Sequence, residues 1–278
     1  MNKRKLLLVA LSLCMVAILA MGGTLAYLTD TETAANVFTV GKVTIVLNEQ
    51  ERVKDDNGDF TAALKGFEQD KKLFPLVGNA QTDPEVAGLP ISENYVDKIV
   101  TVTNTGSEDA WIRVYFAIPS ALDDGYDTFN AGLNILHFNF GKNLATNANT
   151  NVANEGGNWW DWNTEAGNWN YFETTIDDIR YNVYFADYMK TTAKGETTER
   201  FLNGVYMDSS FNFNDAGVQM AFNNTFAVDA AWDWSNVTCP VVALGVQAAG
   251  FDTPDAAFDT AFGTEFNPWG GAIENWQE

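Results

Sequence analysis

The sequence predicts an all-β fold, a jelly-roll-like β-sandwich with one or two short helices. Three observations lead to this prediction. Several segments alternate apolar and polar residues with a period of two, turn clusters separate them, and only one segment carries apolar residues at helical spacing. Apolar residues make up 46% of the chain, as in ordinary globular domains, where the fraction is about 45–50%. Many strands with one short helix favour a sandwich or a jelly roll.

The strands are predicted from alternation and from β-branched residues. They cover residues 37–48, 99–104, 111–118, 133–140, 181–189 and 237–247. In the third of these, one face carries Ile112, Val114, Phe116 and Ile118. The turn cluster Asn104–Ser107 lies between the second and third segments, so the two are expected to pair as a hairpin.

One helix and one long excursion complete the predicted architecture. Residues 255–262 carry apolar residues at helical spacing, Thr253 can cap this helix, and Pro254 fits its first turn. Residues 141–170 contain nine asparagines and four tryptophans but almost no aliphatic residues. This composition predicts an Asn/Trp-rich insertion, a long loop or hairpin on the same domain.

The N-terminal residues predict an export signal. A basic stretch, Met1–Lys5, precedes the apolar run Leu6–Met21, and small residues then predict cleavage after Ala26. An uncleaved anchor helix is the alternative, but the run is shorter than the roughly 20 apolar residues of a membrane span. Residues 1–26 are therefore interpreted as a signal peptide and residues 27–278 as a single jelly-roll domain.

The acidic charge limits the partners. The chain has 37 Asp and Glu residues against 16 Lys and Arg, a net charge of −21. Loss of residues 1–26 removes three cations and no acid, which makes the charge −24. Such a surface repels nucleic acids and anionic membranes, so neither is expected as a partner. Assembly of like-charged copies is expected to depend on salt or acid.

Few side chains offer catalytic chemistry. His137 is the one histidine in the sequence and Cys239 the one cysteine after residue 26, which excludes zinc sites with several His or Cys ligands and an intrachain disulfide. His137 is expected to be structural or solvent-facing, and Cys239, before Pro240 in an apolar strand, to be a small buried residue. No two carboxylates stand out as a glycosidase pair. We therefore expect no enzyme and no resident cofactor.

The segment Asp55–Asp59 resembles the opening of a calcium-binding loop. Phe60 stands where such a loop needs glycine, and Gly66 where it needs a bidentate glutamate. An Asn-Gly hairpin turn explains the segment as well. Weak Ca²⁺ binding elsewhere on the acidic surface stays open, as does the question whether Ca²⁺ bridges subunits.

The tryptophans of the insertion allow two interpretations. Asn and Asp residues flank Trp159, Trp160 and Trp162 in the segment NWWDWN. Exposed aromatic rings beside amides and carboxylates are a common way to contact a glycan. Tryptophans also close the open end of a sandwich, with the indole N–H satisfied at the edge. The packing interpretation is favoured.

Three patches of the sequence resemble one protein family. They are residues 22–30 (GGTLAYLTD) with 36–43 (NVFTVGKV), residues 96–106 (VDKIVTVTNTG) with 111–114 (WIRV), and residues 246–251 (VQAAGF). Together they resemble the TasA/camelysin family of exported proteins of Gram-positive bacteria. The signal peptide of these proteins is removed by the dedicated signal peptidase SipW.

The resemblance implies a secreted jelly-roll protein that polymerises by donor-strand exchange. In TasA-like proteins, the N-terminal segment of one subunit completes the sheet of the next. Here the donor would be residues 27–42, released by cleavage between Ala26 and Tyr27, and its docking residues would be Tyr27, Leu28, Val37, Phe38 and Val40. The alternative is a disordered tail followed by an ordinary first strand of the same molecule.

We therefore expect a subunit of a biofilm matrix or cell-surface fibre. Its expected partners are further copies of itself, a SipW-type peptidase and other matrix or cell-wall components. A non-polymerising surface adhesin or glycan-binding module, using the tryptophans, is the alternative. A camelysin-like surface protease is a third class, but the chain lacks the H-E-x-x-H motif and has one histidine where two are needed.

Overall fold

The structure is a computed structural model. It describes residues 43–77, 89–92, 94–123, 135–140, 159–162, 169–209 and 237–277, and the backbone alone of residues 29–33, 36–37, 82–83, 212–213, 219–221 and 226–227. The predicted signal peptide and its cleavage site lie outside the described residues, as does most of the Asn/Trp-rich insertion.

The described secondary structure is almost entirely β-strand. In chain order, the elements are β1 (Thr29–Thr33), β2 (Asn36–Val37), β3 (Ile45–Lys54), β4 (Phe60–Gly66), β5 (Thr82–Asp83), β6 (Leu89–Pro90), β7 (Val96–Asn104), β8 (Ala110–Pro119), β9 (Leu136–Phe140), β10 (Trp160–Asp161), β11 (Tyr171–Ile176), β12 (Ile179–Thr192), β13 (Leu202–Met207), β14 (Asn212–Phe213), β15 (Gln219–Ala221), β16 (Phe226–Ala227), β17 (Val241–Gln247), α1 (Pro254–Phe262) and β18 (Glu274–Gln277).

Two antiparallel sheets form the sandwich. Sheet I has the strand order β18-β11-β12-β8-β17-β1-β2, with β10 also paired to β12, and sheet II has the order β4-β3-β7-β13-β9. The chain crosses between the sheets repeatedly, because β7, β9 and β13 belong to sheet II whereas β8, β12 and β17 belong to sheet I. The all-β, jelly-roll-like sandwich predicted from the sequence is confirmed.

The predicted hairpin between residues 99–104 and 111–118 is wrong. β7 pairs with β3 and β13, whereas β8 pairs with β12 and β17. The turn between them carries the chain from one sheet to the other. The Asn104 side chain holds this turn, because its Nδ2 donates to the carbonyls of Glu108 and Thr192 (2.8 and 2.7 Å). Turn residues predict that the chain reverses, but not whether the flanking strands pair.

The main core lies between the sheets. The predicted face of β8 points into it, and all four of its residues are fully buried. Facing them from sheet II are Ile45, Leu47, Val100, Val102, Leu202 and Val205. The alternation of apolar residues in β8 therefore predicted correctly which of its residues face the core between the sheets.

The opposite face of sheet I is also covered. Tyr115, Phe172, Phe185 and Leu244 form a second apolar cluster with Phe258 of α1. The chain after α1 adds Trp269, Phe266 and Trp276 to its rim. Sheet I is thus a middle layer, with sheet II on one side and the C-terminal segment on the other. No helix among the described residues has the length and apolar character of a membrane span.

The helix prediction is confirmed, whereas the first strand prediction is shifted. α1 begins at Pro254, and the Thr253 Oγ1 accepts a hydrogen bond from the Ala256 N–H at 3.3 Å. The strand predicted at residues 37–48 is β3 in the structure, which runs from Ile45 to Lys54. Its second half pairs with β4 through the backbone, and the side chains of Glu51 and Arg52 form ion pairs rather than apolar contacts, so apolar alternation does not reveal it.

Candidate functional site

The edge of sheet I at β17 is the first candidate site. Six of the seven residues of β17 are buried. Val242, Leu244 and Val246 pack in the cluster under α1, while Val241 and Ala243 pack between the sheets. A strand buried on both faces needs backbone partners along both edges, because unpaired N–H and C=O groups in an apolar setting are costly.

The N-terminal segment supplies the partner on one edge. β1 runs antiparallel to β17, with Thr29 opposite Val246, Thr31 opposite Leu244 and Thr33 opposite Val242. β2 then folds back on β1, with Val37 opposite Glu32. In the structure, the strand that completes sheet I therefore belongs to the same chain and lies within a few residues of the predicted cleavage site.

The residues predicted to dock differ from those that pair. Tyr27, Leu28, Phe38 and Val40 lie outside the described residues, and Val37 is in β2, one strand away from β17. The strand beside β17 is Thr29–Thr33, whose sequence is Thr-Asp-Thr-Glu-Thr. The prediction chose apolar residues for pockets, whereas the pairing is a backbone ladder. The threonines at every second position were the available signal, since Thr favours strands.

β3 approaches β17 closely at Gly245. A Cβ atom at this position would lie 2.9 Å from Cγ2 of Ile45 and 3.2 Å from Cγ1 of Val43. The glycine therefore allows the beginning of β3 to pack against the same strand that receives β1. Residues 38–42, which lead from β2 to this contact, are outside the described residues.

A buried ion pair holds α1 over sheet I. The Arg113 guanidinium of β8 donates to both oxygens of Asp187 of β12, each at 2.7 Å, and to Oδ1 of Asp255 of α1 at 3.1 Å. Its plane also lies over the rings of Phe185 and Phe258, about 5 Å away. Sequence reasoning missed this cluster, although a single cation in one apolar strand and a single acid in another was a usable signal.

The insertion tryptophans divide between packing and exposure. Trp160 and Trp162 are 2% and 0% exposed, and Trp162 stacks on Phe201 with ring centroids 4.4 Å apart. These two rings are core residues, as the favoured packing interpretation expects, and they offer no surface for the alternative, contact with a glycan. Trp159 is half-buried, and Lys190 Nζ lies 5.3 Å from its ring centroid.

His137 and Cys239 occupy structural positions. His137 lies in β9, where its ring stacks on Tyr206 at 5.0 Å and its Nε2 is 3.0 Å from Oδ2 of Asp208. Burial lowers the pKa of His137, an effect that Asp208 partly offsets. Cys239 is a free thiol packed partly buried against the inter-sheet core, and burial raises its pKa to about 12. A thiol of that pKa is a poor nucleophile.

The calcium-like segment is a hairpin turn between β3 and β4. Oδ1 of Asp55 accepts hydrogen bonds from the N–H groups of Asn57 and Asp59, each at 2.9 Å, and Gly58 adopts φ +88°. The Asp55 carboxylate is thus used to close the turn, and those backbone hydrogen bonds lower its pKa. Within the described part of the chain, no three acidic, His or Cys side chains are grouped to hold a metal ion.

A charged cleft of about 400 Å³ lies beside β3, β4 and β7. Its cations are Arg52, Lys54, Lys65, Lys71 and Lys72. Sequence reasoning missed this site as well, because these residues are dispersed among acids along the chain. Only the hairpin and the segment after it bring them together.

Comparison with known proteins identifies no relative of this chain. No family model, no curated protein and no solved structure matches the chain. The resemblance to TasA/camelysin proteins therefore depends on the motifs in the sequence.

Proposed function

We propose that the mature chain is a secreted structural protein that assembles into a cell-surface or biofilm-matrix fibre by exchange of its N-terminal strand. The observation that carries the proposal is the edge of β17. A strand buried on both faces is completed by five residues at the predicted mature N-terminus. The SipW-type processing and the matrix location come from the sequence resemblance.

Two features of β1 favour exchange, and a third point concerns the assembly that exchange would give. It lies near the predicted mature N-terminus, so after cleavage it could leave β17 without threading through the fold. It pairs with β17 along a backbone ladder, which an identical strand of another copy can form equally well. Each copy that gives its strand to the next leaves its own β17 open for a third, and such a head-to-tail contact does not close on itself.

Exchange between chains can be tested with single cysteines. Glu32 and Ala243 are opposite each other across the β1–β17 pair. Two chains spanning residues 27–278, both with Cys239→Ser, would carry Glu32→Cys in one and Ala243→Cys in the other. Opposite residues of antiparallel strands have Cα atoms about 4.5–5.5 Å apart, which a disulfide can span. We expect disulfide-linked dimers when the mixture assembles and is oxidised.

The control moves one cysteine along β17. Gln247→Cys replaces Ala243→Cys, which places the thiol four residues further along the strand, about 13 Å away. Dimers should then be absent. A chain carrying both Glu32→Cys and Ala243→Cys should lock its own strand when oxidised as a monomer and form no fibres by negative-stain electron microscopy until it is reduced. Fibres without the interchain disulfide would contradict strand exchange.

Deletion of the segment gives a second test. A chain that begins at Val43 lacks β1 and β2, so we expect folded monomers from it and fibres from the chain that begins at Tyr27. Monomers from both would favour the adhesin alternative. That alternative retains Trp159 as its available ring, because Trp160 and Trp162 are buried.

A further inference from the structure

The charged cleft stands out because cations are concentrated there. Five of the 16 Lys and Arg residues of the chain line it. By contrast, residues 201–278 contain ten acidic residues and no Lys, Arg or His. Charge is therefore distributed unevenly along a chain whose overall charge is −21.

Most charged side chains that line the cleft form ion pairs with one another. Arg52 donates to both oxygens of Asp97 at 2.8 and 2.7 Å and lies 4.0 Å from the ring centroid of Phe60. Beside this buried pair, two lysines and two glutamates form a network of four ion pairs. Lys65 and Lys71 each contact both Glu51 and Glu68, at distances of 2.6 to 3.6 Å.

Lys54 and Lys72 remain as the excess positive charge. Both are exposed, and neither forms an ion pair in the described part of the chain. The ammonium group of Lys54 lies 4.6 Å from the ring centroid of Phe60, which orients it at the cleft. The cleft thus exposes two lysines, Lys54 and Lys72, that are unpaired within the described residues, beside side chains that ion pairs hold in place.

The complementary surface is the exposed side of α1. Asp259 lies on the helix and Glu265 follows it, and both are exposed and without an ion pair in the described residues. α1 packs on the outer face of sheet I, whereas β3, β4 and β7 belong to sheet II. Sheet I separates the two surfaces, so one copy cannot bring its own helix to its own cleft.

We propose that the cleft of one copy receives the acidic face of α1 from a second copy. The inference rests on the proposed function, because it assigns a charge contact to the same head-to-tail assembly. Opposite charges on opposite sides of the molecule make a heterologous contact that orients each incoming copy. Such a contact also offsets locally the repulsion between two strongly acidic molecules.

A charge exchange between two variants tests this contact. Variant A carries Lys54→Glu and Lys72→Glu, and variant B carries Asp259→Lys and Glu265→Lys. Each variant alone places like charges at the contact, so its critical concentration for assembly at low salt should rise by roughly three- to tenfold, the range expected for two exposed ion pairs. In an equal mixture, every A–B contact again joins opposite charges, and assembly should return to the wild-type level.

The controls separate this contact from net charge. Lys190→Glu with Lys194→Glu changes the net charge as variant A does, but away from the cleft, and should assemble better than A. Variant B is less acidic than the wild type, so general repulsion alone would improve its assembly. A mixture no better than its components, or a variant B that assembles better than the wild type, would overturn the proposal.

Strand exchange and the charge contact can fail separately. The interchain disulfide between positions 32 and 243 reports strand exchange, whatever the charges at the cleft. Conversely, the critical concentrations of A, of B and of their mixture report the charge contact, because all of these chains retain β1 and β17. An interchain disulfide in chains whose critical concentrations do not differ would refute the charge contact and leave strand exchange standing. Fibres that lack the disulfide but respond to the charge exchange would refute strand exchange and leave the charge contact standing.

Discussion

The two edges of β17 are completed by different kinds of strand. On one side, β8 is ten residues long, lies inside the sequence and is buried throughout. On the other side, β1 is five residues long, polar in sequence and close to the predicted mature N-terminus. The same strand thus has one partner built into the core and one near the predicted mature N-terminus, which is the partner that the proposed exchange would replace. Strand exchange concerns the second edge alone.

β8 contributes more to β17 than backbone hydrogen bonds. β8 places its side chains in two cores, one between the sheets and one under α1. Loss of β8 would therefore open both apolar clusters. β1 brings a ladder of backbone hydrogen bonds, each of which contributes a net free energy of about 0.5–1.5 kcal/mol. The proposed exchange requires this pairing to be strong enough to keep β17 covered and weak enough to let β1 leave.

The largest expected effect comes from the β8 side. Asp187→Ala removes the bidentate partner of the buried Arg113 and leaves its longer contact with the more exposed Asp255. The free energy of unfolding should therefore fall by about 3 kcal/mol, the lower end of the cost of breaking a buried ion pair. Glu274→Ala is the matched control, because it removes an acid from an ion pair with Arg180 in which both side chains are more than half exposed. Urea unfolding followed by tryptophan fluorescence measures both. Equal decreases in the free energy of unfolding would show that the Arg113–Asp187 ion pair does not stabilise the β8 side of sheet I.

A smaller effect is expected at Gly245→Ala. The added methyl group would meet Ile45 and Val43, so the free energy of unfolding should fall by about 1–3 kcal/mol through overpacking. Gly66→Ala, in the exposed strand β4, adds a methyl group with no atom within 4 Å and serves as the control. An unchanged stability for Gly245→Ala would mean that β3 can move away from β17 and that the two strands are not closely coupled.

Local patterns predicted the parts of the fold that depend on neighbouring residues. The buried face of β8 follows from alternation, and the beginning of α1 follows from Thr253 and Pro254. Pairing partners depend on residues far apart in the sequence, so the turn at Asn104 was compatible with a hairpin and with a crossing between sheets. Likewise, no local sequence pattern predicts that the segment around Trp269 and Trp276 packs on the outer face of sheet I.

The candidate sites show the same limit. The N-terminal segment was predicted to complete the sheet of a neighbouring subunit. In the structure, β1 lies between β17 of its own chain and the outer strand β2, and the strand beside β17 is the polar Thr29–Thr33 rather than the apolar residues around it. The cleft at Arg52 was not predicted, because its cations come together only through the β3–β4 hairpin. Charge along a sequence does not show which charges neutralise one another in space.

The smallest predicted effect concerns another edge strand, β9 of sheet II. Burial lowers the pKa of His137, with Asp208 partly offsetting it, so the unfolded chain takes up the proton at a higher pH than the folded chain. As the pH falls below about 6.5, the ordinary pKa of histidine, the unfolded state gains and the free energy of unfolding should decrease. His137→Gln keeps a polar side chain near Asp208 but does not titrate, so the wild type should lose more stability than this variant between about pH 7.5 and 5.5. Urea unfolding at the two pH values measures the difference. If the wild type instead gains stability relative to His137→Gln on acidification, the ion pair with Asp208 outweighs the effect of burial on the pKa of His137. Acid would then stabilise the pairing of the edge strand β9.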